Sequence, residues 1–292
     1  MTSLRQLAQR IRHHPCLARA DRLWSLARQP YRWALDPLGR GVSLKAGGHC
    51  PVRIPSDMTG YRWEEYEPEE FAYLKEWVAA HTEGFILDVG CSIGIFSAAA
   101  LFAGDKVTVV AIDPDLASLA VTRRMTRYAP GSHRLRLLYG FLARQSSTRL
   151  TLDAAAAATD ALLEKRTMRG DLESVRYEKL NDPSASAIPA YRLDDLLAER
   201  APQQDMLIKC DVEGAELEVL MGASETLQRL KPDLILSVHS WKDFGLPQYG
   251  HCKEDVENFL RDHGYAFECI AIDHEEHWAC HHRERPTAPA KA

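Results

Sequence analysis

A glycine-containing segment, Asp88–Gly94, lies where a run of apolar residues gives way to small, helix-forming ones. Glycines at such a strand-to-helix turn let the backbone approach a ligand closely, and open α/β sheets bind ligands at the carboxyl ends of their strands. A dinucleotide fingerprint has glycine where this chain has Asp88, and an acid there would repel a pyrophosphate. The segment therefore predicts a nucleoside ligand without a pyrophosphate. The candidate contacts are Asp88, Gly90, Cys91, Ser92 and Gly94.

A second acid, Asp113, ends the next predicted strand and is followed by Pro114. A carboxylate at that strand tip can accept hydrogen bonds from both hydroxyls of a ribose. An adenosine bound without a pyrophosphate points to S-adenosylmethionine as the cofactor. The alternative is that Asp113 and Pro114 only start a turn. Glu67, in the segment before the first strand of this pattern, is a further candidate that could cover the cofactor.

Two predicted strands further along, Asp211 and His239 follow the ends of neighbouring strands. Because the carboxyl ends of parallel strands meet at the same edge of a sheet, we expect these side chains to converge. A neutral imidazole near pH 7 is a suitable base for a hydroxyl proton, so Asp211 and His239 are the predicted catalytic residues. The alternatives are a structural role for the histidine and, for Glu213 or Glu216, stabilisation of a helix N-terminus. Lys209 is expected to pair with one of these acids.

A divalent cation is a further expectation at the same edge. It would bind Asp211 with Glu213 or His239, and it would lower the pKa of a bound hydroxyl. Oxygen-rich ligands suit Mg²⁺ or Ca²⁺, but no ligand trio has a diagnostic spacing, so a requirement for metal stays open. The C-terminal histidines with Cys280 are explained more simply by the alternation of a final strand than by a zinc site.

From Phe85 onward, predicted strands alternate with predicted helices. This order predicts an α/β protein with a Rossmann-like fold, a mostly parallel seven-stranded sheet and helices on both faces. Strands are predicted at Phe85–Val89, Lys106–Ile112, Leu135–Tyr139, Met206–Cys210, Asp233–Val238, Ala266–Ile272 and His277–His281. Helices are predicted at Gly94–Phe102, Leu116–Tyr128, Ala215–Leu230 and Asp255–His263. Thr148–Leu152 is expected to form an edge strand.

The charge is uneven, because residues 1–40 are rich in arginine whereas the whole chain has a net charge of −5. An acidic body is poorly suited to a phosphate backbone, so nucleic acid is not an expected substrate. The basic start could contact an anionic membrane surface, or pack on the main domain. A membrane-spanning helix needs about 20 apolar residues, and none is predicted. Seven scattered cysteines without a C-x-x-C pair indicate a reducing compartment, so the cytoplasm is expected.

Three segments resemble the FkbM-type S-adenosylmethionine-dependent methyltransferases: Asp88–Ser97, Arg192–Leu196 and Ile208–Ala223. The stretch Lys-Cys-Asp-Val-Glu-Gly-Ala-Glu within the third is the specific part. The family commonly has Ala-Asn where this chain has Cys91 and Ser92, and Glu in place of Asp113, and both differences are conservative for cofactor binding.

The resemblance covers roughly residues 60–265 and implies methylation of a hydroxyl oxygen on a sugar, a glycan end or a secondary metabolite. Residues 51–292 are then the methyltransferase domain, with an insertion at about 145–190, after an N-terminal helical extension over residues 1–50. The alternatives are a non-catalytic cofactor-binding module and an NAD(P)-linked oxidoreductase, against which Asp88 argues. The aromatic residues that follow the fifth strand could stack a sugar ring. They are Trp241, Phe244 and Tyr249.

Overall fold

The computed structural model describes residues 38–81, 83–167, 188–201, 205–239 and 252–284, together with residues 30 and 34. The predicted N-terminal helices and the aromatic residues after the fifth strand lie outside these ranges. Within the described part of the chain, no helix combines the length and the apolar character that crossing a membrane requires.

Strands and helices are numbered here in chain order. The strands are β1 (Val42–Ala46), β2 (Cys50–Ile54), β3 (Phe85–Val89), β4 (Thr108–Asp113), β5 (Leu135–Tyr139), β6 (Phe141–Leu142), β7 (Ala190–Tyr191), β8 (Met206–Cys210), β9 (Asp233–Val238), β10 (Tyr265–Ile272) and β11 (Glu276–His282). The helices are α1 (Pro68–Ala80), α2 (Ile95–Ala103), α3 (Leu116–Thr126), α4 (Leu152–Thr167), α5 (Leu193–Leu196), α6 (Glu216–Met221), α7 (Ser224–Leu230) and α8 (Lys253–Asp262).

Seven strands form the central sheet in the order β10-β11-β9-β8-β3-β4-β5. The five strands from β9 to β5 are parallel, whereas β11 pairs antiparallel with β9 and β10 antiparallel with β11. All seven predicted strands are present, with ends that differ by at most two residues. The prediction of a mostly parallel, seven-stranded α/β sheet is therefore confirmed.

Helices cover both faces of the sheet because each central strand is apolar on both sides, as parallel strands usually are. In β3, Phe85, Leu87 and Val89 pack on the face covered by α6, α7 and α8. Ile86 packs on the opposite face, with α1 and α2. By the same alternation, Asp88 and its neighbour in register, Lys209, belong to the face covered by α1 and α2. The charged residues of β3 and β8 therefore lie under α1.

The predicted boundary at residue 50 needs correction, because it cuts a β-hairpin. β1 and β2 pair antiparallel, from Val42 opposite Ile54 to Ala46 opposite Cys50. Their buried side chains join the same apolar cluster as Phe71 of α1 and residues of α2. Residues 42–54 therefore pack with the main domain. Neither this hairpin nor α1 follows from the strand–helix alternation that begins at Phe85.

Two further elements differ from the prediction. The helix expected at 215–230 is divided into α6 and α7 at Gly222, where a Cβ atom would lie 2.2 Å from the carbonyl oxygen of Ala143. The crossing chain therefore leaves no room for a side chain at that point. Residues 148–151 form no strand, and α4 starts at Leu152. This helix packs against β5, and the hydroxyl of Thr159 accepts a hydrogen bond from the backbone N–H of Tyr139.

Helix α1 is fixed to the sheet by a buried hydrogen bond. The indole Nε1 of Trp77 donates to Oδ2 of Asp233 at 2.8 Å, and the other oxygen of Asp233 lies 2.9 Å from Nδ1 of His281. This contact joins α1 to the start of β9. The hydrogen bond thereby fixes the orientation of α1, whose first turn carries Glu70 against the sheet.

We expect Trp77→Phe to lower the free energy of unfolding by about 1.5–3 kcal/mol, because it removes a hydrogen bond to a buried charged group. Urea denaturation of the purified protein measures the change. Glu76→Gln, on the exposed side of the same helix, is the control and should stay within about 0.5 kcal/mol of the parent. Equal stability of the two variants would show that this bond does not hold α1.

Candidate functional site

The turn after β3 is fixed by its contact with β8. Gly90 has a φ of +74°, and a Cβ atom built on it would lie 1.7 Å from the carbonyl oxygen of Asp211. The N–H groups of Gly90 and Cys91 both donate to the carbonyl oxygen of Ile112, at 2.9 and 3.1 Å. The glycine is therefore required by close approach of the protein's own backbone. It positions the turn where the ends of β3, β4 and β8 meet.

Asp113 holds the same turn from the tip of β4. Its Oδ2 accepts a hydrogen bond from the backbone N–H of Ser92 at 2.9 Å, and its Oδ1 accepts from that of Asp115 at 2.8 Å. Burial raises the pKa of Asp113 to about 6, although these two hydrogen bonds oppose the shift. An ionised carboxylate has about four acceptor positions. Asp113 therefore retains capacity for the two hydroxyls of a ribose.

Asp88 is held inside the protein by the start of α2. Its side chain is buried, and Oδ2 accepts hydrogen bonds from the backbone N–H of Ser97 at 3.1 Å and from its hydroxyl at 2.6 Å. The carboxylate thus anchors the start of α2 inside the protein. The predicted direct contact of Asp88 with a cofactor is not supported by this geometry.

The other predicted cofactor residues differ in how far their side chains are exposed to solvent. Cys91 is buried in an apolar cluster with Ala111 and Leu116, so its thiol points into the core. Ser92 is exposed in a left-handed conformation with φ of +48°, and Pro114 is half-buried. The surface of the turn is therefore formed by the region around Ser92.

Glu67 lies at the N-cap of α1 with a φ of +43°. Burial raises its pKa to about 8, the neighbouring carboxylate of Glu70 adds to the shift, and Lys209 opposes it. Glu67 is therefore protonated at neutral pH and can donate a hydrogen bond. Glu67 lies close enough to Lys209 for the ammonium charge to act on it, and its role in covering the cofactor stays a prediction.

Lys209 is a buried cation surrounded by carboxylates. Its Nζ donates to Oδ2 of Asp211 at 2.9 Å, which confirms the expected pairing. Burial disfavours the charged ammonium, but Asp211 and three other acids outweigh burial and raise the pKa of Lys209. Burial would likewise raise the pKa of Asp211, yet Lys209 lowers it below its usual value. Both groups are therefore charged at neutral pH.

Asp211 and His239 converge as expected, with 3.9 Å between Oδ1 and Nε2. His239 also lies between two buried carboxylates. Its Nδ1 is 2.8 Å from Oε1 of Glu216, and its Nε2 contacts Oε2 of Glu275. Burial disfavours the imidazolium, but these hydrogen bonds raise the pKa of His239 to about 10. The imidazole is then already protonated at neutral pH, which argues against its predicted role as a neutral base.

Glu275 lies nearer to Nε2 of His239 than Glu213 does. The side chain of Glu213 is 85% exposed, although its Oε2 lies 3.7 Å from Nε2 of His239. Among the described residues, two groups bring three potential metal-binding side chains within 4.8 Å of one another. They are Asp211, His239 and Glu275, and Asp273, Glu275 and His277. The predicted trio of Asp211, Glu213 and His239 is not one of them.

Sequence reasoning missed a second buried imidazole. Nδ1 of His277 lies 2.7 Å from Oε1 of Glu70, and both side chains are almost fully buried. His277 is on β11 and Glu70 on α1, so this pair is formed only by the tertiary fold. The acidic residue inside the otherwise apolar face of α1 is the local signal that could have indicated it.

A mostly parallel sheet with a glycine turn after its first parallel strand, and an acid at the tip of the next, is typical of Rossmann-like folds that bind nucleotides. A model of the family described as the methyltransferase FkbM domain matches residues 88–267, which is more than half of the chain. The chain therefore belongs to the FkbM methyltransferase family. This is a family of S-adenosylmethionine-dependent methyltransferases, as the resemblance predicted.

The chain is also similar to individual proteins. It is 24% identical over 244 residues to the AMB antimetabolite synthetase AmbE of Pseudomonas aeruginosa, a match that spans 75% of this chain and 11% of AmbE. A solved FkbM methyltransferase from Methylobacillus flagellatus has 16% identity and a TM-score of 0.43 over 69% of this chain and 44% of that one. The O-methyltransferase TomG from Streptomyces achromogenes has 11% identity and a TM-score of 0.40, over 73% and 79% of the two chains.

Gly90→Ala should destabilise the protein by more than about 3 kcal/mol, because the left-handed conformation costs roughly 1–2 kcal/mol and the collision with Asp211 adds to it. Gly39→Ala is the matched control, since Gly39 has a φ of +63° but no atom within 4 Å of the built Cβ. Urea denaturation measures both. If the two variants lose the same stability, the close approach of β8 is not what requires a glycine.

Proposed function

We propose that this chain is an O-methyltransferase that transfers the methyl group of S-adenosylmethionine to a hydroxyl of a sugar, a glycan or a secondary metabolite. The observation that carries the proposal is the position of Asp211. Its carboxylate is ionised, its side chain is 18% exposed, and its backbone contacts the Gly90 turn. A charged acceptor group is thus open to solvent directly beside the turn at which the cofactor is expected.

The residues at the turn fit the cofactor. Asp113 can accept hydrogen bonds from the ribose hydroxyls, as carboxylates at this position do in nucleotide-binding Rossmann folds. The acidic surroundings, with Asp211 ionised, suit a positively charged sulfonium. When bound, the cofactor supplies a methyl group that the sulfonium already activates for attack by an oxygen.

The protein then has to orient the acceptor and remove one proton. Lys209 occupies Oδ2 of Asp211 and holds the side chain in one orientation, so that Oδ1 is left to accept a hydrogen bond from the acceptor hydroxyl. This bond aligns the hydroxyl oxygen with the methyl group. Transfer of the methyl group would break its bond to sulfur and leave the cofactor as a neutral thioether, while Asp211 accepts the hydroxyl proton as the carbon–oxygen bond forms. His239 holds Glu216 and Glu275 beside it and does not take the proton in this scheme.

The proposal includes a cytoplasmic location and a small-molecule or glycan acceptor. The six cysteines in the described ranges are free, which is consistent with a reducing compartment. The net charge of −5 does not favour a nucleic-acid acceptor. Contact with a membrane surface through the basic N-terminal residues stays part of the hypothesis.

We expect the affinity for S-adenosylmethionine to fall as the pH is lowered through about 6, because protonation removes acceptors from Asp113. Above that pH the carboxylate is ionised and the affinity should be constant. Asp113→Asn should weaken binding about 5- to 150-fold at pH 7.5, for a loss of about 1–3 kcal/mol in charge-assisted hydrogen bonds, and should flatten the pH profile. Calorimetric titration from pH 5 to 8 measures both.

Asp115→Asn is the control for this profile, since Asp115 is an exposed acid two positions away that caps α3. This variant should keep the dependence on pH. A parent protein with the same affinity at pH 5 and pH 7.5 would remove Asp113 from the proposed ribose contact.

A screen with methyl-labelled cofactor over hydroxylated metabolites, nucleotide sugars and glycans tests the reaction itself. With the acceptor found, Asp211→Asn should lower turnover by about 10²- to 10⁴-fold, with little change in cofactor affinity. Glu218→Gln, which removes a surface ion pair with Arg144, should leave turnover within about twofold, because such pairs contribute little. Methylation of nitrogen or carbon instead of oxygen, or full activity of Asp211→Asn, would contradict the proposal.

A further inference from the structure

Three side chains from separate elements surround one small volume beside the Gly90 turn. Asp211 follows β8, His239 follows β9 and Glu275 lies in the turn between β10 and β11. Their donor atoms lie within 4.8 Å of one another, as expected of ligands that share one ion at roughly 2.0–2.2 Å from each. We propose that Asp211, His239 and Glu275 bind one divalent transition-metal ion, which displaces the Nε2 proton of His239 into solvent.

The imidazole is oriented as metal-binding histidines usually are. Such histidines hydrogen-bond a carboxylate through the ring nitrogen that does not bind the metal. In His239, Nδ1 is 2.8 Å from Oε1 of Glu216, while Nε2 faces Asp211 and Glu275. Glu216 is itself fixed, because its Oε1 accepts a hydrogen bond from the backbone N–H of Gly214 at 3.1 Å. The ring therefore has one orientation, with Nε2 toward the carboxylates.

The two carboxylate ligands are also held in place. Lys209 binds Oδ2 of Asp211 and leaves Oδ1 as the oxygen that faces His239. The side chains of Glu275 and His239 are each only 3% exposed. Burying charged groups is costly unless opposite charges compensate them, and a divalent cation would compensate two ligand carboxylates. Asp211, the most exposed of the three, leaves one side of the site open to a further ligand.

The donor set selects the kind of metal. Mg²⁺ and Ca²⁺ prefer oxygen ligands, whereas imidazole together with carboxylates suits Mn²⁺, Fe²⁺ or Zn²⁺. Because His239 contributes a nitrogen ligand, the site favours one of these transition metals over the Mg²⁺ or Ca²⁺ that the acids alone suggest. An ion here could polarise a hydroxyl bound next to Asp211 and lower its pKa. An oxygen of an ionised carboxylate has two lone pairs, so Oδ1 of Asp211 could bind the ion and still accept the proton of that hydroxyl. In that respect the inference deepens the proposed function and rests on it.

The neighbouring group of Asp273, Glu275 and His277 provides a built-in comparison. Glu275 faces this group with its other oxygen, since Oε1 lies 3.6 Å from Nε2 of His277. The side chain of Asp273 is 52% exposed, and its Oδ1 accepts a hydrogen bond from the backbone N–H of Glu275 at 3.1 Å. An asparagine at this position can still accept that hydrogen bond through its amide oxygen. Asp273→Asn therefore removes a nearby carboxylate without touching two of the three proposed ligands.

The test is direct binding of Mn²⁺ to protein that has first been stripped with a chelator. Free Mn²⁺ measured by electron paramagnetic resonance, with calorimetry in parallel, should show one ion per chain. Asp211→Asn and Glu275→Gln should each weaken Mn²⁺ binding at least about 10-fold, and Glu216→Gln about 10- to 100-fold. Asp273→Asn should stay within about twofold of the parent, and Mg²⁺ and Ca²⁺ should bind at least about 10-fold more weakly than Mn²⁺. Thermal unfolding of each variant shows that it is folded.

Several results would overturn the inference. The first is no Mn²⁺ binding at about 1 mM, a concentration at which even a weak site is half filled. The second is equal binding of Mg²⁺ and Mn²⁺. The third is loss of Mn²⁺ binding in Asp273→Asn but not in Asp211→Asn. Crystals soaked in Mn²⁺ should show an anomalous peak between Asp211, His239 and Glu275. A peak only at another position would show that these three residues do not bind the ion. Because binding is measured without an acceptor, protein that binds Mn²⁺ but methylates no hydroxyl would contradict the proposed function alone.

Discussion

The site depends on one buried positive charge, the ammonium group of Lys209. It lies on the central strand β8, opposite Asp88 in the sheet, and its side chain is only 6% exposed. Acids from α1, β3 and the end of β8 surround it, namely Glu67, Glu70, Asp88 and Asp211. A buried charge without a partner is strongly destabilising, so the ionised acids of this group, Asp211 above all, and the lysine require one another. This requirement ties the helix α1 to the two strands that carry the glycine turn and the acceptor carboxylate.

A second set of charges extends from this centre towards the antiparallel edge of the sheet. Two imidazoles are each oriented by a buried glutamate, His239 by Glu216 and His277 by Glu70. Glu275 lies between them and faces each ring with a different oxygen. The charges therefore form a continuous network from α1 through β8 and β9 to the β10–β11 turn. Removing one member would leave the charges of its neighbours buried without an opposite charge. The network therefore links the elements that supply its members.

The parts of this arrangement that the sequence predicts are those determined by local pattern. The strands β3, β8 and β9 are continuous apolar runs, and adjacent parallel strands bring Asp211 and His239 to one edge without any knowledge of the tertiary structure. The pairing of Lys209 with Asp211 follows in the same way, since residues two apart on a strand share a face.

The parts that the sequence does not predict arise from contacts between distant segments. Gly90 is a glycine because the carbonyl of Asp211 approaches it, and Asp88 points inward because Ser97 offers two donors at the start of α2. The local signal of an acid and a glycine is the same whether the group faces a ligand or the protein interior. Only the packing of α2 and β8 distinguishes the two cases.

The same distinction divides the proposed site into a proposed cofactor end and a proposed acceptor end, which have different origins. The cofactor end, around Ser92 and Asp113, is formed by the successive units β3–α2 and β4–α3, so short motifs describe it. The acceptor end is formed by Asp211 and His239 together with Glu275, which an antiparallel hairpin brings across from the far end of the chain. The family model, which matches residues 88–267, covers the first two of these residues but not the third. In the proposed site, the hairpin consequently determines which groups face the acceptor, because Glu275 joins Asp211 and His239 as a third side chain.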